Sequence, residues 1–278
     1  MIRQSPRDKK LFELLARYEV MSSKQIRQLA YPDVIETNFF RRLRKLEQAK
    51  MIKRLGPMLD HSYAWLLGSE GKQRMGFGQR DLFKTRLTLG HDVALTQVRL
   101  TLDSIGIGKK LVPESELRKR ARDQQISFRE KNKPIVVPDG LFPVLIKERA
   151  EVFALEVELT FKSKQRYFEL FKRYLKMDGI YAIWYVVPNK SMGDRILSEW
   201  EAFFQKFDRQ YSRSKILCYS VLDEFTAQPR AAIIHDHQGQ VKICDWWRLP
   251  PADLVSPNTD QLHDQRLISE SNKKPEAA

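Results

Sequence analysis

The chain has 278 residues, enough for about two domains with a core each. No apolar run reaches the roughly 18 residues a membrane helix needs, and MIRQSPRDKKLFELL at the N-terminus has no apolar signal core, so neither a membrane span nor secretion is expected. Lys and Arg total 49 against 35 Asp and Glu, and the net charge of +14 points to a polyanionic partner.

Residues 7–18, RDKKLFELLARY, place apolar side chains at 11, 14, 15 and 18, the spacing of one helix face. SSKQIRQLAY follows, with Ser22 and Ser23 as N-cap candidates and Ile26, Leu29 and Ala30 as its apolar side, and Pro32 closes it. IETNFFRRLRKLEQAKMIKRL sets Phe39, Leu43 and Leu46 at helical spacing, with Thr37 or Asn38 near the start. Beyond Met51 come short extended pieces, MIKRLGPML and SYAWLLG, split by Gly56-Pro57 and Asp60-His61. Three helices and a hairpin over residues 1–76 resemble a winged helix-turn-helix domain. Its third helix carries Arg41, Arg42, Arg44 and Lys45, and Lys53 and Arg54 lead into the wing, with Glu47 the only acid over residues 39–54. Cations there neutralise phosphates and arginine reads base edges, so these residues are the expected contacts to double-stranded DNA. Helices this short need their apolar faces for one another, which argues against a membrane surface.

Residues 69–87 read as a connection with a short helix, and a second unit spans 88–250. GHDVALTQVRLTLDSI (90–105) is a helix with 93, 94, 98, 102 and 105 apolar; KLVPESELRKRARDQQ (110–125) is charged and turn-like or helical. The runs 134–146 and 151–160 flank KERA as a hairpin or close strand pair. SKQRYFELFKRYLKM is an amphipathic helix with 168, 171, 174 and 175 inward, and GIYAIWYVVP is a nearly all-apolar strand expected to be buried on both faces. A helix over 192–207, the strand SKILCYSVL and the hairpin AAIIHDHQGQVKICDWW complete the unit. Residues 251–278 are polar and read as a disordered tail. Cys218 and Cys244 fit no metal or redox spacing and read as buried free thiols in a reducing cytoplasm.

FALEVELT alternates cleanly: Phe153, Leu155, Val157 and Leu159 face a core, and Ala154, Glu156, Glu158 and Thr160 face the other way. Asp139 follows Pro138 at a break in the preceding strand, from which its carboxylate can bend toward the same place. Three converging carboxylates repel unless neutralised, and Mg²⁺ (or Mn²⁺) is the natural neutraliser, shared with phosphate oxygens. Asp139, Glu156 and Glu158 are therefore the expected metal ligands, with Glu158 as ligand or general base. Lys162 or Lys164, just past the strand, would stabilise charge developing on the phosphorus oxygens.

These residues in this order resemble the PD-(D/E)XK nuclease superfamily: Pro138-Asp139 matches the first half of its motif and Glu156-Val157-Glu158 the second. Glutamate stands at the lysine position, so activity would need Lys162 or Lys164 to reach back; Glu114 or Glu116 could add a further acid. A wider resemblance is to the replication-relaxation family, similar to mobilisation relaxases of the MobC type. It rests on the N-terminal unit, His91, Pro138-Asp139-Gly140, the Glu156/Glu158 strand with Thr160, and the helix ending at Tyr174. The implied fold is α+β, a winged helix-turn-helix followed by a restriction-endonuclease-like domain. The implied activity is recognition and metal-dependent nicking of mobile-element DNA in the cytoplasm, in mobilisation or replication. Relaxosome or replication proteins and a second copy of the chain are the implied partners. The alternative is a non-catalytic accessory factor or regulator with a degenerate nuclease-like domain. His235-Asp236-His237 reads as a turn, because Asp separates the histidines and Gln238-Gly239 follows; Trp246-Trp247 read as core aromatics at a strand end.

Overall fold

The computed structural model describes residues 3–58, 61–77, 86–123, 129–130, 133–134, 137–207 and 211–249. The tail expected over 251–278 and residues 78–85 of the connection expected over 69–87 lie outside these residues. The described chain is mixed α and β, built mainly on a three-stranded and a seven-stranded sheet.

Helix α1 (Pro6–Tyr18) starts on Ser5, whose hydroxyl accepts from the Asp8 N–H while the Asp8 carboxylate accepts from the Ser5 N–H. Strand β1 (Met21–Ser22) leads into α2 (Ser23–Ala30), capped in the same reciprocal way by Ser22 and Gln25. Helix α3 (Glu36–Gln48) begins after Ile35 with no side-chain cap, and Thr37 and Asn38 fall in its first turn. Strands β2 (Ile52–Leu55) and β3 (Ala64–Leu67) pair antiparallel and β1 joins the far side of β3. Phe12, Leu15, Ile26, Phe39, Leu43 and Trp65 are among the residues that close the core over this sheet.

The short helix α4 (Ser69–Arg74) crosses the end of β2 so closely that a Cβ on Gly71 would run into the Met51 carbonyl. Backbone cannot yield there as a flexible side chain would. Gly71→Ala is therefore expected to destabilise the chain by about 1–3 kcal/mol, measured by urea unfolding.

Helix α5 (Arg86–Ser104) and a turn bring the chain to β4 (Val112–Pro113) and α6 (Glu114–Asp123). Strands β5 (Arg129–Glu130) and β6 (Lys133–Pro134) make a separate ribbon. Then come β7 (Gly140–Ile146), β8 (Arg149–Val157), α7 (Lys164–Leu175), β9 (Ala182–Val187), α8 (Lys190–Phe207) and β10 (Ile216–Val221). The unit ends with α9 (Leu222–Ala227), β11 (Ile233–Asp236), β12 (Gly239–Lys242) and α10 (Ile243–Trp246). The large sheet has the order β12-β11-β10-β9-β8-β7-β4, with β8, β9 and β10 parallel and the flanking pairs antiparallel.

Both faces of this sheet are covered. Phe153, Leu155 and Val157 of β8 join Trp184, Val98 and Leu102 on one side. Ala154 joins Ile183, Tyr185 and the aromatic faces of α7 and α8 on the other. The expectation that Glu156 faces away from the core is thus corrected: its side of β8 lies under α7. The all-apolar β9 is buried throughout, as its unbroken run implied. The end of the chain differs from the expected strand: Trp246 belongs to the short α10, and Trp247 just after it is fully buried. Cys218 is buried as expected, whereas Cys244, in α10, is exposed.

Helix α5 belongs to both units. Val98 and Leu102 pack on the large sheet, and the opposite side grips the N-terminal unit. There Thr96 donates to the Val20 carbonyl at 2.6 Å, Gln25 donates to the Val93 carbonyl at 3.2 Å, and Arg99 donates to the Arg17 carbonyl at 2.6 Å. The Tyr18 hydroxyl donates to Asp103, which also pairs with Arg17.

Candidate functional site

Two places carry the expected chemistry. The first is α3. Phe39, Leu43 and Leu46 point into the core, which leaves Arg41, Arg44 and Lys45 exposed on the opposite side. Lys53 and Arg54 are exposed on β2; Arg54 lies 3.3 Å from Glu47 and over the Tyr63 ring. Arg41 donates to Asn38 of its own helix at 2.7 Å.

Arg42 departs from the expected role. Its guanidinium donates through Nε and Nη2 to the two oxygens of the wholly buried Asp8, at 2.9 and 2.5 Å, and to the Arg3 carbonyl. Burial pulls the Asp8 pKa upward, but the hydrogen bonds from Arg42, Ser5 and Tyr31 outweigh it and hold the carboxyl below its ordinary value. Arg42 therefore fastens α3 to α1.

The second place is the edge of the large sheet where β7 begins and β8 ends. Asp139 stands just before β7. Its Oδ2 accepts from the Val157 N–H at 2.8 Å and lies 3.1 Å from His91 Nε2, while its main-chain carbonyl accepts from the Glu114 N–H at 3.1 Å. It thereby joins β8, the start of α5 and the start of α6. His91, one of the residues that carry the family resemblance, lies on α5 and has Asp139 as its hydrogen-bond partner. Burial opposes charge on the His91 imidazole, but the hydrogen bonds to Asp139 and Asp92 and their charges prevail and raise its pKa to about 10.

Glu156 accepts a hydrogen bond from the Tyr174 hydroxyl, and Tyr185 is its neighbour across the ladder to β9. Burial, reinforced by the nearby Asp139 charge, pushes its pKa up to about 8 against the pull of Tyr174, Lys162 and His91. Glu158 is buried just beyond β8 and pairs with Lys162 Nζ. Between the two candidate lysines the geometry chooses Lys162. Lys164 is 59% exposed, 3.8 Å from Glu199, with its ammonium over the Phe168 ring. Glu114 and Glu116 pair with Arg118 and Arg120 on their own helix. Tyr167 and Tyr174 are both fully buried core residues.

Asp139, Glu156, Glu158 and Lys162 are thus brought to one edge, joined by His91 and Tyr174. Among the described residues no group of three or more His, Cys, Asp or Glu is placed to hold a metal ion. Asp139 faces His91, Glu158 faces Lys162, and Glu156 is held by Tyr174. His91 and Lys162 thus bring positive charge beside Asp139 and Glu158.

The family model of replication-relaxation proteins matches residues 12–184. The chain belongs to the replication-relaxation family. The family match covers both units, from α1 into β9, and includes α3, His91, Asp139 and the Glu156/Glu158 strand. Membership suggests a role in plasmid replication or mobilisation. No curated protein and no solved structure matches the chain. No helix among the described residues is long and apolar enough to cross a membrane.

Proposed function

We propose that this protein binds double-stranded DNA during plasmid replication or mobilisation, through a winged helix-turn-helix formed by α1 to β3, and nicks the DNA at the acidic edge of a nuclease-like second domain. The observation that carries the reading is the exposed cationic side of α3, opposite its buried side. On this reading α3 enters the major groove and Arg41, Arg44 and Lys45 meet phosphates and base edges. Arg42 is left out of that set because Asp8 occupies it. At the second domain, Asp139 and Glu158 would shape the phosphodiester site and Lys162 would stabilise charge on the phosphate oxygens. Mg²⁺ or Mn²⁺ could be held there only after the His91–Asp139 and Lys162–Glu158 pairs open.

Those closed pairs favour a second reading, a DNA-binding accessory factor without cleavage. The two are separated by incubating supercoiled plasmid, carrying DNA from around the protein's own gene, with wild type and Asp139→Ala, with EDTA, Mg²⁺ or Mn²⁺. Nicking by wild type that falls at least a hundredfold in the variant, with DNA binding kept, supports cleavage at this edge. Tight binding without nicking under every condition supports the accessory role.

A further inference from the structure

Positive charge is concentrated a second time in the chain, away from α3. Residues 162–176 contain Lys162, Lys164, Arg166, Lys172, Arg173 and Lys176 against the single acid Glu169. The first part of this run meets α8 in a seam beside the acidic edge. The Arg195 guanidinium lies 3.6 Å from the centre of the Phe161 ring, and that ring packs on Tyr167 at 4.9 Å. Lys162, which pairs with Glu158, is 6.0 Å from the same Tyr167 ring. Lys164 reaches across to Glu199, one turn beyond Arg195 on α8. Lys164 and Arg195 are exposed on this seam, and Arg166, also exposed, lies on another side of α7 but near enough to Lys162 for its charge, after burial, to help hold the Lys162 pKa down; together these three cations are the ledge that borders the acidic site. Among the described residues Glu199 is the one acid paired into this ledge, and only 16% of its side chain is exposed, so the outward charge stays positive.

We propose that the ledge of Lys164, Arg166 and Arg195 seats the phosphate backbone of a nucleic-acid strand and delivers it to the edge formed by Asp139, Glu158 and Lys162. This rests on the DNA-binding reading above and adds a second contact surface, separate from α3. Exposed guanidinium and ammonium groups beside the site attract phosphates, and their contribution is salt-dependent because bound counterions are released.

The test uses the full chain with fluorescently labelled single-stranded and duplex oligonucleotides of one sequence, titrated between low and moderate salt. Lys164→Gln/Arg166→Gln/Arg195→Gln is compared with Arg41→Gln/Arg44→Gln and with wild type. The ledge variant is expected to bind at least one of the two forms tenfold or more weakly, with the salt slope reduced by about 2. The form affected shows whether the ledge seats a single strand or a duplex. Lys164→Gln/Arg166→Gln, which leaves Arg195 on Phe161, should give a smaller loss in the same direction at an unchanged melting temperature. Unchanged affinity and slope on both forms, while the α3 variant weakens duplex binding, would overturn the ledge alone. No DNA binding by wild type would overturn the DNA-binding reading with it.

Discussion

Asp8→Ala should destabilise the N-terminal unit by about 3 kcal/mol, the lower end of the cost of leaving one partner of a buried ion pair alone. Asp8 is 0% exposed and its two oxygens receive Arg42, Tyr31 and the Ser5 N–H. Removing it leaves the Arg42 guanidinium without its counter-charge, the Tyr31 hydroxyl without its acceptor and α1 without half of its cap. Asp8→Asn should cost nearly as much, because the charge matters more than the volume. Hydrogen–deuterium exchange is the suitable measurement, since it reads the opening of α1 to α3 separately from the large sheet. The pH sign follows from a carboxyl whose folded pKa lies below its ordinary value. Its contribution is present above the unfolded pKa of about 4 and is lost as pH falls through the lower folded value. Protection of wild type should therefore weaken toward acid while that of Asp8→Asn changes less. A loss below about 0.5 kcal/mol, the size of an exposed pair, would mean that Arg42 is free to face DNA after all.

That outcome matters because Arg41 and Arg42 are neighbours with the same charge and different fates. Arg42 lies three residues after Phe39 and four before Leu46, so helical spacing places it on the flank of the buried face. The signal was in the sequence, but charge counting along α3 passed over it. A loss of DNA binding in an Arg42 variant would accordingly report a loosened α1–α3 joint, whereas Arg41 and Arg44 variants should leave stability unchanged.

The order of the elements was legible because most of them carry one dominant period: 3.6 in α1, α3 and α7, 2 in β8, and an unbroken apolar run in β9. Helix α5 was legible as a helix but not as a shared one. Its apolar residues serve two partners, and periodicity says nothing about which unit owns which side. The short α9 and α10 follow strands and inherit their apolar composition, so α9 passed unnoticed and α10 read as strand. At the acidic edge, alternation put Glu156 and Glu158 on one side of β8 and the Pro138-Asp139 break brought in the third acid. The groups that set their charge were not legible. His91 meets Asp139 across 48 residues and Tyr174 meets Glu156 across 18, and such pairings leave no periodic trace.

Glu156→Gln should make stability less dependent on pH, with little effect at pH 5 and a clear gain at pH 9. The wild-type carboxyl has a folded pKa pushed up to about 8, against about 4.3 for an unfolded glutamate. Between those values the folded chain holds a proton that the unfolded chain has released, so stability falls as pH rises, by up to about 1.4 kcal/mol per pH unit. Below the window the neutral carboxyl contributes fully; above pH 8 a charged group must sit under α7. Glutamine keeps the size, cannot ionise and still accepts from the Tyr174 hydroxyl. Melting temperatures of both chains at pH 5, 7 and 9 read the difference directly. Asp139→Asn separates the two causes: burial, the larger, remains, while the repulsion from Asp139 disappears, so the fall in stability should shrink without vanishing. A Glu156→Gln chain that is less stable at every pH would show Glu156 to be ionised and paired with a cation such as Lys162. The distinction bears on chemistry as well as folding, since a Glu156 that is neutral near pH 7 is a poor anionic ligand.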